Sequence, residues 1–223
     1  MKKIVALVAA TVLSASAVVS SVFAENTLHM GAGFPISPLK VDYDGDKEDF
    51  SSTGVDFAFD YTHVAEGGFA WKVGFDIGGA NSSDIEDVDG NDASAFDFAF
   101  GFGFGGSPIH NERMTLSILG DFGIRVQNFD IGSYSALGNS VAIDWVNFLF
   151  YIGPEISYTF RFNNHIGLFA NFGIFYNIGA GGFGYEATGN QAFVKLVEEN
   201  FPDEVYTVSG FTFQPKLGLA VTF

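Results

Sequence analysis

Two acidic stretches of the chain carry carboxylates at the alternate spacing that suits a divalent cation. They read DYDGDK from residue 42 and DVDGND from residue 87, and their candidate ligands are Asp42, Asp44, Asp46, Asp87, Asp89 and Asp92. Calcium loops of EF-hands open in this way, but they have glycine at position six and glutamate at position twelve. Here position six is Lys47 or Asp92, and position twelve is Thr53 or Phe98. We therefore expect loosely bound divalent cations, with a specific calcium site as the less favoured alternative and no other cofactor.

The amino-acid composition excludes several classes of site and partner. The 223 residues include no cysteine, which excludes disulfides, thiolate metal sites, catalytic thiols and a lipidated cysteine. Acidic residues outnumber basic ones by 26 to 10, and nucleic acids are bound mainly through lysine and arginine. We therefore expect no nucleic-acid partner.

The first 24 residues have the composition of a secretory signal peptide. Two lysines precede a short apolar run, and the segment ends in Val22-Phe23-Ala24 before Glu25. A retained anchor helix is the alternative, but the apolar run is short for it. We predict a cleaved signal peptide over 1–24 and one domain over 25–223, with a net charge of −18 from eight basic and 26 acidic residues.

Eight segments alternate apolar side chains with small or polar ones, which is the two-residue period of a β-strand. The clearest holds five phenylalanines, at every second position from Phe96 to Phe104. The predicted strands are 26–34, 55–62, 69–78, 96–104, 114–127, 147–160, 166–178 and 205–223. The connections alternate between long and short, and the long ones are 35–52, 80–93, 130–142 and 179–204. A short amphipathic helix is expected around Phe193, Leu196 and Val197 in the last one.

This rhythm predicts an all-β fold, an eight-stranded antiparallel up-and-down transmembrane β-barrel with short periplasmic turns, long external loops and both termini periplasmic. A soluble barrel with a phenylalanine-lined interior is the alternative. An eight-stranded barrel has an interior only just filled by side chains, so the many large apolar residues must face outward, towards lipid. The opposite faces then place a charge network in the lumen, formed by Asp56, Asp60, Lys72, Asp76, Asp97, Asp121, Arg125, Glu155 and Lys216. We expect each of the three bases to have a carboxylate partner.

The chain ends on an alternating strand that finishes with an aromatic residue. Lys216, Gly218, Val221 and Phe223 match the pattern polar-x-Gly-x-x-hydrophobic-x-aromatic. In this the sequence resembles the small eight-stranded outer-membrane proteins of diderm bacteria, the group of the OmpA membrane domain, OmpX and OmpW. The resemblance implies an outer-membrane location, contact with lipid and lipopolysaccharide or an equivalent, and an insertion signal that the outer-membrane insertion machinery reads.

Three classes of function are compatible with such a barrel. The first is an enzyme, because some barrels of this size are similar to lipid A-modifying enzymes. Catalysis would need a histidine with a serine and an acid in register, and none of the four histidines has them. His29 is expected in the lumen, and the others are expected in periplasmic turns: His63, His110 and His165. Inward glycines could open a narrow channel for small solutes or small hydrophobic molecules. The favoured hypothesis is non-enzymatic: a structural or surface-interaction role, through external loops that meet an unidentified ligand.

Overall fold

The computed structural model describes residues 25–43, 46–200 and 205–223. The predicted signal peptide and Asp44 lie outside the described residues. The strands are β1 Glu25–Gly33, β2 Ile36–Tyr43, β3 Asp46–Val64, β4 Phe69–Glu86, β5 Asp92–His110, β6 Met114–Ala136, β7 Asn139–Arg161, β8 Ile166–Thr188 and β9 Val205–Thr222, and the helix α1 is Gln191–Asn200.

The strands close into a ring of eight positions. Consecutive antiparallel pairs run from β3 to β9, and β1 and β2 together occupy the position between β9 and β3. The break between β1 and β2 falls at Phe34 and Pro35, because proline has no N–H to give to a ladder. The neighbouring strands bond across the break: the Phe34 N–H donates to Pro215 O and the Gly54 N–H to Pro35 O, both at 2.9 Å. The predicted eight-stranded up-and-down barrel is therefore confirmed.

The orientation of the phenylalanine face is also confirmed. On β7, Phe150 and Ile152 are 57% and 64% exposed, whereas Leu149 on the opposite face has no exposure. Aromatic rings cover the outside in layers, as with Phe104 against Phe122, whose centroids lie 6.1 Å apart. We call this outward apolar surface the belt. Within the described residues, no helix is long and apolar enough to cross a membrane.

The predicted long connections are largely wrong, because strands continue through most of them. The stretch expected as a loop at 35–52 forms β2 and the start of β3, paired from Ile36–Thr53 to Tyr43–Asp46. The strands β4 and β5 leave only residues 87–91 as a turn, and β6 and β7 leave only Leu137 and Gly138. Both of these last residues have positive φ, 53° and 80°, which is the conformation of a two-residue type I′ hairpin turn. We call the strand parts beyond the belt, with α1, the extension: residues 36–54, 81–95, 128–147 and 179–210 as far as they are described.

The polarity of the wall reverses where the strands pass from the belt into the extension. Inward side chains of the extension form an apolar cluster together with Ala80 and Leu149, which lie at its border with the belt. The members in the extension include Leu39, Phe50, Ala93, Ala95, Phe129, Trp145 and Val208. Outward side chains of the extension are acidic and exposed, for example Asp49, Asp84 and Asp130. An apolar interior with a charged exterior is the pattern of a protein in water, whereas the belt shows the opposite pattern. The extension is thus a water-exposed continuation of the same barrel.

The predicted short helix is confirmed. The Asn190 side chain accepts from the Phe193 N–H at 2.9 Å, which caps the first turn of α1. The Asn139 side chain in turn accepts from the Asn190 N–H at 3.0 Å. The start of α1 is therefore tied to the start of β7.

Candidate functional site

The lumen contains all nine charged residues that alternation placed there, and each is at most 5% exposed. One group surrounds Arg125 on β6. Its Nε and Nη2 donate to the two carboxylate oxygens of Asp97, at 2.9 and 2.7 Å, and Asp56 lies 3.6 Å from Nη2. The Gln127 Nε2 donates to Asp97 as well, at 3.1 Å. Arginine and carboxylate thus meet in a two-pronged arrangement that fixes both side chains.

A second group lies further along the barrel, away from the extension. Lys72 Nζ contacts Asp121 at 2.5 Å and Glu155 at 2.7 Å. These contacts link β4 to β6 and β7. Lys216 Nζ, on β9, contacts Asp76 at 2.9 Å and Asp60 at 3.6 Å. Each of the three bases therefore has two carboxylate neighbours. The Arg125–Asp97 pair joins adjacent strands, and the other five pairs tie non-adjacent strands together across the lumen.

Inward glycines make room for these side chains rather than for a channel. A Cβ at Gly101 would lie 1.9 Å from the Tyr151 hydroxyl, and one at Gly74 would lie 1.9 Å from Asp60 Oδ1. The cavity left between the charged groups measures about 10 Å³. That is about the volume needed to hold one water molecule. The described lumen is therefore filled at this level, and the apolar cluster fills it again in the extension.

The luminal charges do not balance, because six acids face three bases. Asp56 shows this most clearly: it is 2% exposed and neither of its carboxylate oxygens has a hydrogen-bond partner among the described residues. A buried carboxylate without full compensation is costly to keep ionised. The three bases are thus indispensable to the stability of the ionised network.

A third cluster, which the sequence analysis did not predict, lies at the end opposite the extension. Glu25 forms an ion pair with Arg161 and lies 3.2 Å from His110. Arg161 also donates to Thr115 Oγ1 at 3.1 Å. The two-residue period could have revealed this cluster, since Glu25 has the same parity as His29 and Arg161 the same parity as Glu155.

The acidic stretches do not form a cation cage where they are described. Asp87 accepts the N–H groups of Asp89 and Asn91 at 2.9 and 2.8 Å, which is a closed turn. These hydrogen bonds, first of all that from Asn91, lower the pKa of Asp87 below its usual value. In the other stretch, Asp42 pairs with Lys47 at 3.4 Å. No group of three or more metal-ligating side chains comes together in the described part of the chain.

The histidines are placed differently from one another. His29 is buried in the lumen, as expected, where its Nε2 lies 2.9 Å from Thr159 Oγ1 and its ring stacks on Phe169. His63 and His110 belong to the ends of β3 and β5 rather than to turns, so the expectation was wrong for both of them, whereas His165 does lie in a turn. The His29–Thr159 pair has no route to bulk solvent for a substrate, since both residues are at most 3% exposed.

The last strand closes the ring at its seam. Gly218 packs so closely on β1 that an added Cβ would lie 2.2 Å from Met30 O. Lys216 points into the lumen, and Val221 pairs with Leu28 and Ile166 on the two neighbouring strands. The Phe223 N–H donates to Asn26 O at 3.0 Å, while its side chain stays 64% exposed.

Comparison with known proteins shows the fold. No family model matches the sequence, and no curated protein matches it. Among solved structures, the outer-membrane protein OprG of Pseudomonas aeruginosa matches with a TM-score of 0.50 at 11% identity, over 90% of this chain and 96% of OprG. Ail of Yersinia pestis, the attachment invasion locus protein, gives 0.43 at 16% identity over 90% and 99%, and the Escherichia coli protease OmpT gives 0.42 at 9% over 89% and 96%. The chain has the fold of an outer-membrane β-barrel.

Proposed function

We propose that this protein is a closed outer-membrane barrel that presents a rigid, acidic extension at the cell surface and interacts there with external partners. The observation that carries the proposal is the reversal of wall polarity along continuous strands. A belt of outward phenylalanine fits lipid, and an extension with an apolar interior and outward carboxylates fits water. A barrel with a filled lumen has its largest accessible polar surface in the extension.

The lengths of the connections at its two ends indicate how the barrel is oriented in the membrane. At one end the connections are residues 65–68, 111–113 and 162–165, and the other end carries the extension. Outer-membrane barrels have short turns on the periplasmic side. We therefore assign both termini to the periplasm and the extension to the exterior. We further propose that Lys216, Gly218, Val221 and Phe223 serve as the signal to the insertion machinery.

The excess of acidic residues in the extension indicates which ligands it attracts. The sequence stretches 36–54, 81–95, 128–147 and 179–210 hold 17 of the 26 acidic residues of the chain and 3 of its 10 basic residues, and 14 of these acids are among the described residues. Such a surface attracts cationic groups and repels the phosphates of lipopolysaccharide unless divalent cations lie between them. We propose loosely held divalent cations and a cationic external ligand, and no catalytic role. The His29–Thr159 pair is buried, and His110 lies 3.5 Å from the Thr115 hydroxyl beside an acid, Glu25, that is paired with Arg161.

Labelling of single cysteines tests the proposed orientation of the barrel in the membrane. Because the chain has no cysteine, Ser135→Cys in the extension and Asn164→Cys in a turn at the other end each introduce a unique thiol. A membrane-impermeant maleimide on intact cells should label the first variant, and the second only after the outer membrane is permeabilised. The reverse result would overturn the assignment.

Conductance separates the closed scaffold from the channel alternative. Refolded protein in a planar bilayer should give no conductance steps, with an open porin in the same bilayer as the control. Reproducible steps from the wild-type chain would refute the closed barrel and favour a pore.

A further inference from the structure

The hairpin of β6 and β7 extends beyond its neighbour on one side. The last residue of β6 that pairs with β5 is Asp130, opposite Ser94, yet β6 continues to Ala136 in pairing with β7. At the base of this part, the Val88 N–H donates to Ile131 O at 2.8 Å. We call residues 131–143 the tongue. Its β6 edge, residues 132–136, has no strand partner on the β5 side among the described residues.

The tongue differs from the rest of the extension in charge. Residues 131–143 contain no charged side chain, whereas the stretches 36–54, 81–95 and 179–210 together hold 15 acidic residues. Residues 133–138 are exposed. Natural edge strands are usually protected from pairing by lysine, proline or inward charges. This edge has none of these, and the bulge of β6, between Asp130 and Gly132, lies only at its base, so residues 133–136 are open to a further strand.

The sequence of the edge is complementary to itself in antiparallel pairing. It reads Gly132-Ser133-Tyr134-Ser135-Ala136, which is symmetric in residue type about Tyr134. If two copies pair with Tyr134 opposite Tyr134, then Ser133 of each copy faces Ser135 of the other. Aromatic pairs and serine or threonine pairs are among the cross-strand neighbours that stabilise a sheet. In the same register Gly132 of each copy faces Ala136 of the other, and both residues are small.

We propose that the tongue pairs with the tongue of a second copy of this chain, edge to edge and antiparallel, through residues 132–136. Copies in one membrane point the same way, so antiparallel pairing joins copies in two opposing membranes. The uncharged tongue provides contact between surfaces that otherwise repel. Five paired residues span about 17 Å, so each contact is weak and arrays of copies strengthen it. This inference rests on the external location of the extension proposed above.

Cysteine cross-linking between two vesicle populations tests both the contact and its register. Tyr134→Cys should form a disulfide between populations, because opposed Cα atoms lie about 4.5 to 5.5 Å apart. Ser133→Cys vesicles mixed with Ser135→Cys vesicles should also cross-link. Each of these two alone should cross-link at least tenfold less, because diagonal partners are about 7 to 8 Å apart. Equal cross-linking of all variants, or none, would overturn the proposal.

Vesicle clustering gives an independent measurement. Wild-type proteoliposomes should cluster, and more strongly with added magnesium, which screens the acidic surfaces. Tyr134→Lys should abolish clustering, because two lysines would face each other, whereas the control Asn164→Lys at the other end should leave it unchanged. Tongue cysteines that react with maleimide from outside but neither cross-link nor cluster would refute only the pairing. Cysteines that do not react from outside would refute the proposed orientation itself.

Discussion

Lys72→Met should be among the most destabilising single substitutions in the lumen. Lys72 is 3% exposed and lies within 2.7 Å of two carboxylates, Asp121 and Glu155. Methionine fills a similar volume but leaves both acids without their cation. Breaking a buried ion pair from one side typically costs about 3 to 5 kcal/mol. We expect a loss in that range in the free energy of unfolding.

Urea unfolding of the refolded protein in lipid vesicles, followed by tryptophan fluorescence, measures this loss. The double variant Lys72→Met with Glu155→Gln should recover part of it, because one uncompensated acid is then neutral. Lys195→Met is the matched control: Lys195 is exposed and pairs with Glu199 on α1, so its loss should cost less than about 0.5 kcal/mol. A loss below about 1 kcal/mol for Lys72→Met, or strict additivity in the double variant, would refute the argument that luminal charge balance supports the barrel.

Three further predictions concern the extension and the seam. Phe129→Ala, at a side chain with no exposure in the apolar cluster, should cost about 3 to 5 kcal/mol and make the extension sensitive to added protease; Phe150→Ala on the belt is the control and should leave protease resistance unchanged. Carbon-detected NMR should show that the Asp87 carboxylate titrates with a pKa below the usual aspartate value. The ionised carboxylate therefore stabilises its turn at pH values above the usual pKa, and this stabilisation is lost as the pH falls through the lowered pKa. A titration midpoint at or above the usual pKa would contradict the hydrogen-bonded turn. Deletion of Phe223 should reduce the amount of inserted protein in cells more than it reduces the stability of protein already folded; unchanged insertion would contradict the signal.

Alternation was sufficient to predict the belt and the composition of the lumen. On β5 the phenylalanines and the intervening Asp97, Gly101 and Gly103 assign each face without ambiguity, because a one-residue shift would turn an acid towards lipid. The Glu25–Arg161 cluster follows the same alternation, but both residues lie just outside the strands that the sequence predicts, 26–34 and 147–160. Which acid meets which base could not be predicted, because contacts such as Lys72 with Glu155 depend on barrel stagger rather than on strand sequence.

The extension could not be predicted from the same signal. Stretches such as 35–52 and 80–93 are acidic and contain proline or glycine, which favours loops. The inward apolar residues of the extension, for example Leu39 and Phe129, are few and have the opposite parity to the lipid-facing residues of the same strands. A search that allowed the apolar face to change sides at the membrane boundary would have detected them.

The continuity of the strands from belt to extension has a mechanical consequence. Because β6, β7 and β8 each run 23 residues, the part in lipid and the part in water share the same strands, and the register shift between β6 and β7 lies higher up, at Asp130 and Gly132 at the base of the tongue. A load applied at the tongue is carried by ladder hydrogen bonds into the wall and so tilts the whole molecule. A partner held at the surface would therefore keep a fixed angle to the membrane, and pulling on it would strain the surrounding lipid rather than stretch a loop.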